Sequence, residues 1–329
     1  MKEKKKRFKL FDTQREGRGV EKTDVYTKTD LKGFFLKYKE SFSRLLSVNI
    51  LMVLGNFPLI FGAIAMSTLT RIPYMTPAST AYPLLRGLFL QQPQPSAADL
   101  VSIGLEGAQI ETNAMTNTTY VFFALSALVI FTFGLVNVGT TYILRNMVKG
   151  DPVFVVSDFF YAIRRNWKQA LPFGILDAFL LVLIPFDLVY LYTAGGQLLL
   201  GIFFGIMVVI AILYFWMRFY IYLQMVTFRL SLYKILKNSL IFALIGCKRN
   251  LMATLGIALL VFLNLALAFG FSGIFSAMAI LLPILLLFSN GAFMSTYAAY
   301  YKIKEIMIDP YEVQTPDAEE NPASGNDVI

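Results

Sequence analysis

Residues 198–217 read LLLGIFFGIMVVIAILYFWM, and the next residue is Arg218. A run of about 20 apolar residues is long enough to cross a hydrocarbon core of roughly 30 Å as a single helix. The segment after it has the opposite character. Residues 218–250 hold Arg218, Arg229, Lys234, Lys237, Lys248 and Arg249, and no Asp or Glu occurs between Leu188 and Lys304. A span that ends in a purely cationic segment is the pattern of a helix leaving the bilayer on its cytoplasmic side.

The same alternation recurs on either side of this stretch. Windows at 45–69, 120–144, 171–192, 251–270 and 277–301 also qualify as spans, which makes six. Of the 29 Lys and Arg residues, 14 lie in 1–44, five in 145–170, six in 218–250 and two in the tail, at Lys302 and Lys304. Only Arg71 and Arg86 fall on the opposite side. The connections at 193–197 and 271–276 carry none. The fold expected is therefore all-α. It is a polytopic membrane bundle of about six transmembrane helices, multi-pass in the plasma membrane, with both termini cytoplasmic. The chain then divides into a basic arm over 1–44, a membrane domain over 45–301, and an acidic tail over 302–329 that reads as disordered.

Composition agrees and excludes several chemistries. Hydrophobic residues make up 57% of the chain, charged residues 15%, and the mean hydropathy is +0.61. A soluble domain carries more charge. There is no histidine and only one cysteine, Cys247, which removes most metal sites, His-based catalysis, Cys–His nucleophiles and any disulfide framework. No P-loop is present and no cofactor is implied. The net charge of +8 reflects the one-sided basic bias and the N-terminal arm, and it does not point to nucleic acid. The arm, which begins MKEKKKRFK, is not a signal peptide, because the first apolar run starts only near Leu45.

The inner segments carry helical periodicity of their own. Leu31, Phe34, Phe35, Tyr38, Phe42 and Leu45 recur at spacings of three and four. Asp151–Pro152 resembles a helix start, followed by an apolar stripe of Val156, Phe159, Phe160, Ile163 and Trp167. Ser231 is placed to cap a third helix with Lys234 and Lys237 on its polar face. Basic amphipathic helices of this kind lie in the membrane interface. Arg164, Arg165, Lys168, Lys234, Lys237, Lys248 and Arg249 then face anionic head groups, each contributing about 1 kcal/mol. An interfacial helix followed by a two-span hairpin, used three times, is the organisation this suggests. The connection at 70–119 is the longest, with five prolines and no lysine, and 97–108 within it has helical character.

Ionisable residues inside spans are functional candidates. Asp177 lies about two turns into its span and Asp187 near the outer end; at 100° per residue the two point about 80° apart and form no carboxylate pair. Asp177 has two readings: a partner for Arg218, Arg164, Arg165 or Lys168, or a proton or ion site. Asn49, Asn56, Asn137, Asn264 and Asn290, with Thr140, Thr141 and Ser289, are expected to face other helices. They either join helices to one another or line a path for a small solute. The candidate polar cluster is Asp177, Asn137, Asn264, Asn290 and Arg218. Pro58, Pro185 and Pro283 are expected kinks. Tyr190, Tyr192, Trp216, Tyr220 and Tyr222 read as interface anchors. No nucleophile stands with a base.

One set of residues goes beyond physical pattern. Val138-Gly139-Thr140-Thr141-Tyr142-Ile143-Leu144-Arg145, Val148-Lys149-Gly150-Asp151, Asp158-Phe159-Phe160 and Asn166-Trp167-Lys168-Gln169-Ala170 resemble the YesL-like integral membrane family of bacteria. Asn49-Ile50-Leu51, Phe57-Pro58, Val226-Thr227-Phe228 and Leu236-Lys237-Asn238-Ser239 are similar to its flanking patterns. The chain departs from the family in the long connection after its first span. The resemblance implies no known activity and no site residues. It implies an accessory role beside carbohydrate uptake systems, with a sugar ABC permease as a class of partner. Three functions are thus open: a non-enzymatic accessory protein, a small-solute transporter or permease component, and an enzyme acting on lipid or cell wall through Asp99, Glu106 or Glu111.

Overall fold

The computed structural model describes residues 29–195 and 198–312. Residues 1–28 of the basic arm and 313–329 of the acidic tail lie outside the described residues, so those expectations have no structural counterpart here.

Among the described residues, five helical stretches are long and apolar enough to cross a membrane: Asn117–Lys149, Val155–Thr193, Leu198–Thr227, Cys247–Gly270 and Ser276–Ile308. A sixth arises if α1 (Leu31–Gly55) and α2 (Pro58–Met66), bent by 67° at their junction, count as one broken span. The bend falls where Pro58 is expected to kink the first span. Proline fits the first turn of a new helix and cannot donate to the old one.

The remaining order is β1 (Arg71–Pro77), α3 (Tyr82–Gln91), α4 (Ala97–Glu106), β2 (Gln109–Met115), α5 (Asn117–Ser126), α6 (Val129–Lys149) and α7 (Val155–Thr193). Then come α8 (Leu198–Thr227), α9 (Leu232–Ile245), α10 (Cys247–Gly270), α11 (Ile274–Leu282), α12 (Phe288–Ile303) and α13 (Asp309–Glu312). The alternation of long helices defines two ends. The basic end gathers the start of α1, the α6–α7 junction, α9 and the end of α12. The far end carries residues 67–116 and the short α7–α8 and α10–α11 connections.

Three expectations are revised. The helix 31–45 is not separate from the first span, because α1 runs unbroken from Leu31 to Gly55. The second inner helix does not begin at Asp151–Pro152. Gly150 ends α6 with φ of 91°, and Asp151 N–H closes back on the Asn146 carbonyl at 2.9 Å, a left-handed helix stop. Asp151 pairs with Lys149 at 3.0 Å instead. Helix α7 starts at Val155, where the Asp158 carboxylate accepts the Phe154 N–H at 2.9 Å, and continues to Thr193 through Pro172 and Pro185. Among the described residues only α9 is a free-standing inner helix, so the threefold unit is not seen there. The 70–119 connection, whose fold the sequence left open, contains structure. β1 and β2 pair antiparallel from Arg71↔Met115 to Pro77↔Gln109 and enclose α3 and α4. The helical character of 97–108 appears as α4, with a capping box between Ser96 and Asp99.

The core sits toward the basic end, and α8 shows this most sharply. Every residue from Phe219 to Val226 is buried, whereas none from Leu198 to Arg218 is. A helix buried on all sides is core, and the buried stretch of α8 is packed among α6, α7, α9 and α12. Leu45, Val48, Ile143, Leu144, Phe173, Phe293 and Ile303 fill the space around it. From Leu198 to Leu213 the uncovered half of α8 is apolar throughout, the surface a lipid-facing helix requires.

Helices α6 and α7 approach most closely where Gly134 meets Gly174. A Cβ on either would run into the backbone of the other helix. Small residues at such crossings let helix backbones touch.

Candidate functional site

The Gly134–Gly174 contact places Phe133 and Asp177 on the two walls of a polar node. Asp177 sits one turn beyond Phe173 on α7, fully buried. Across from it, α8 presents Tyr214, Arg218 and Tyr222, spaced by four and therefore on one helix face. All three converge on the carboxylate. Arg218 Nε donates to Oδ1 at 2.8 Å and Nη2 to Oδ2 at 3.2 Å. The Tyr214 hydroxyl donates to Oδ1 at 2.7 Å, and that of Tyr222 to Oδ2 at 2.6 Å. The guanidinium lies over the Phe133 ring at 5.7 Å, and Phe173 meets Tyr222 edge-on at 5.3 Å.

The chemistry of this arrangement is closure. An ionised carboxylate has about four lone-pair positions, and four donors fill them. The Asp177 side chain is fully enclosed and that of Arg218 nearly so, with 21% exposure. A buried ion pair of this kind repays desolvation only when its geometry is good and its remaining lone pairs are bonded, which is the case here.

The other members of the expected polar cluster do not join it. Asn137 donates to the Phe133 carbonyl of its own helix at 3.0 Å. Asn264 donates to the Ala279 carbonyl at 3.0 Å and ties α10 to α11. Asn290 is buried near Tyr38, with its Oδ1 lacking a hydrogen-bond partner. The cluster therefore reduces to Asp177 and Arg218. Of the groups named as partners for Asp177, Arg218 is the one that bonds it.

Three expected interface anchors have different roles. Tyr222 completes the node, and Tyr220, fully buried, donates to Asn250 Oδ1 at 2.7 Å. Asn250 in turn donates to the Ala243 carbonyl at 3.1 Å, joining α8, α9 and α10. Trp216 donates to Thr254 at 3.0 Å. Tyr214 does not stand out in the sequence alone, although its spacing of four from Arg218 is a readable signal. Gln224, bonded to Ser239 at 3.0 Å, carries no such signal.

The basic residues lie at the basic end as separate groups. Arg165 donates to the Tyr161 hydroxyl at 3.2 Å, and Arg249 to Thr29 at 3.0 Å. Arg164, Lys168, Lys234, Lys237 and Lys248 are exposed. Arg145, half-buried, donates to the Val226 carbonyl at 2.7 Å and thereby closes the end of α8. Two shallow apolar grooves, one along α10 beside Phe215 and one between α7 and α8, do not include Asp177 in their lining.

The fold and this node define an α-helical bundle of the membrane-spanning type with a closed ion pair in its interior. The family model described as a protein of unknown function, DUF624, matches residues 113–188, which cover α5, α6 and most of α7, including Asp177. That match is consistent with the resemblance to YesL-like proteins. No curated protein and no solved structure matches the chain.

Proposed function

We propose that this chain is a non-enzymatic integral membrane accessory protein that assists or regulates carbohydrate uptake by binding a partner membrane protein, with both termini in the cytoplasm. The observation that carries this reading is the saturation of Asp177. The one fully buried carboxylate among the described residues has no lone pair left for a solute, an ion or a mobile proton. What the bundle offers instead is surface: exposed apolar faces on the far halves of α7, α8 and α10, and exposed cations at the basic end. The carbohydrate context comes from the family resemblance alone.

The test is crosslinking in sugar-grown cells followed by mild detergent extraction. Recovery of a sugar permease with the chain is the expected result, and its absence removes the reading. Orientation has its own check. Cys247 is exposed at the start of α10 and should react with membrane-permeant maleimide but not with an impermeant one added to intact cells.

A second reading, a small-solute transporter or permease component, is favoured by the broken helices at Asn56–Phe57 and Pro283, because interrupted spans line transport sites in several transporter folds. It requires the Asp177 node to open. Uptake into proteoliposomes that is lost in Asp177→Asn but retained in Asp187→Asn would favour it over the accessory role.

A further inference from the structure

The excursion at the far end, residues 67–116, is unusual in what it leaves uncovered. Helices α3 and α4 are ten residues each, and neither contains a buried residue. Isolated helices of that length are marginal in water, as is a lone two-stranded ribbon. The half-buried stripe of α3 is Tyr82, Leu85 and Phe89. Outside it, Leu84, Leu88 and Leu90 on α3 and Leu100, Val101 and Leu105 on α4 are 54–72% exposed. The excursion needs another surface to be stable.

Three features identify that surface. Residues 72–105 carry only two charges, Arg86 and Asp99, in a stretch of 34 residues, too few for a segment facing water on all sides. The excursion leaves directly from the apolar exterior of the spans: Met66 at the end of α2 and Leu69 just after it are 73% and 82% exposed. Both of its legs are pinned at that boundary, since Thr116 and Thr119 at the start of α5 donate to the Thr70 carbonyl at 2.6 and 2.7 Å. The exposed apolar side chains thus continue the lipid-facing surface, while the polar turn Gln91-Gln92-Pro93-Gln94-Pro95-Ser96 joins the two helices at their tip.

We propose that the α3–α4 hairpin lies on the far leaflet of the bilayer, with its leucines in the boundary between head groups and acyl chains and its glutamine-rich turn in water. It acts as a monotopic foot beside the spans. This is independent of the accessory reading, because it concerns lipid and not a protein partner.

The test uses the full chain in a Cys247→Ser background, with single cysteines from Leu88→Cys, Leu100→Cys or Gln94→Cys carrying an environment-sensitive dye. The protein is placed one copy per nanodisc of phosphatidylcholine and phosphatidylglycerol. These positions are exposed, so the labels displace no core. The expected result is blue-shifted emission at positions 88 and 100, quenched about twofold by lipid spin-labelled near the head group, with water-like emission at 94. Water-like, unquenched emission at 88 and 100 overturns the proposal. So does a blue shift that appears only with several copies per disc, which would assign the surface to a second copy of the chain.

Discussion

Asn49 on α1 and Ser289 at the start of α12 are joined across the bundle: Asn49 Oδ1 accepts the Ser289 N–H at 2.8 Å. The same amide donates from Nδ2 to the carbonyls of Pro283 and Ile284, each at 2.8 Å. Residues Pro283–Leu287 form a wide π-turn between α11 and α12. Proline supplies no N–H, and a π-turn leaves carbonyls without their usual partners. One fully buried side chain meets three backbone groups that lipid could not.

Replacing Asn49 with Leu should therefore loosen the last span locally. Each unsatisfied buried group costs about 1–3 kcal/mol. Amide exchange in residues 283–289 should rise in the variant, while exchange in the buried part of α8 stays unchanged. Equal exchange at 283–289 in both proteins would refute the latch.

Asp177→Asn should destabilise the bundle by about 3–5 kcal/mol, because it strands the Arg218 cation in the interior. Thermal unfolding in detergent reads this as a large fall in Tm. Adding Arg218→Met should recover part of the loss, since the unpaired charge is then removed. A double variant no better than the single would show that the pair is not the source of the cost.

Tyr222→Phe and Tyr214→Phe each delete one hydrogen bond to a charged acceptor, worth about 1.5–3 kcal/mol. Tyr222 is the more buried of the two, so its loss should be the larger. Equal and negligible Tm shifts would mean that the hydroxyls fill lone pairs without contributing stability.

Gly174→Ala places a methyl against the Gly134 backbone, which has no side chain to swing away. The helices must separate, at about 1–3 kcal/mol. Gly201→Ala is the matched control, because nothing lies within 4 Å of where its Cβ would stand. It should be neutral or slightly stabilising through helix propensity. Similar Tm values for the two variants would contradict the close crossing.

At the far end, hydrogen bonds from the Ser96 hydroxyl and N–H hold the Asp99 carboxyl below the usual range. A depressed carboxyl contributes to the folded cap above its unfolded pKa of about 3.9. The contribution is lost as pH falls through the lower folded value. Protection of the first-turn amides of α4, measured as exchange relative to the intrinsic rate at the same pH, should therefore fall on acidification below about pH 4, and Ser96→Ala should remove that loss.

The approximate positions of the spans, the two unlike ends and the depth of Asp177 are legible in the sequence, because hydropathy and charge belong to each residue wherever it packs. Arg218 is readable only as one of four candidate partners beside Arg164, Arg165 and Lys168, and the structure selects it. Whether Asn137, Asn264 and Asn290 share a site depends on how each helix is rotated and how far it slides against its neighbours. Composition carries neither quantity. Only the tertiary structure turns Asn137 onto its own helix, brings Asn49 to the gap left by Pro283, and sets Tyr214 and Tyr222 around Asp177. The β1–β2 ribbon is hidden from the sequence for a related reason. Its pairing joins residues about 40 apart in sequence, and Pro73 and Pro77 disguise β1, since proline is tolerated only in a strand with an unpaired edge.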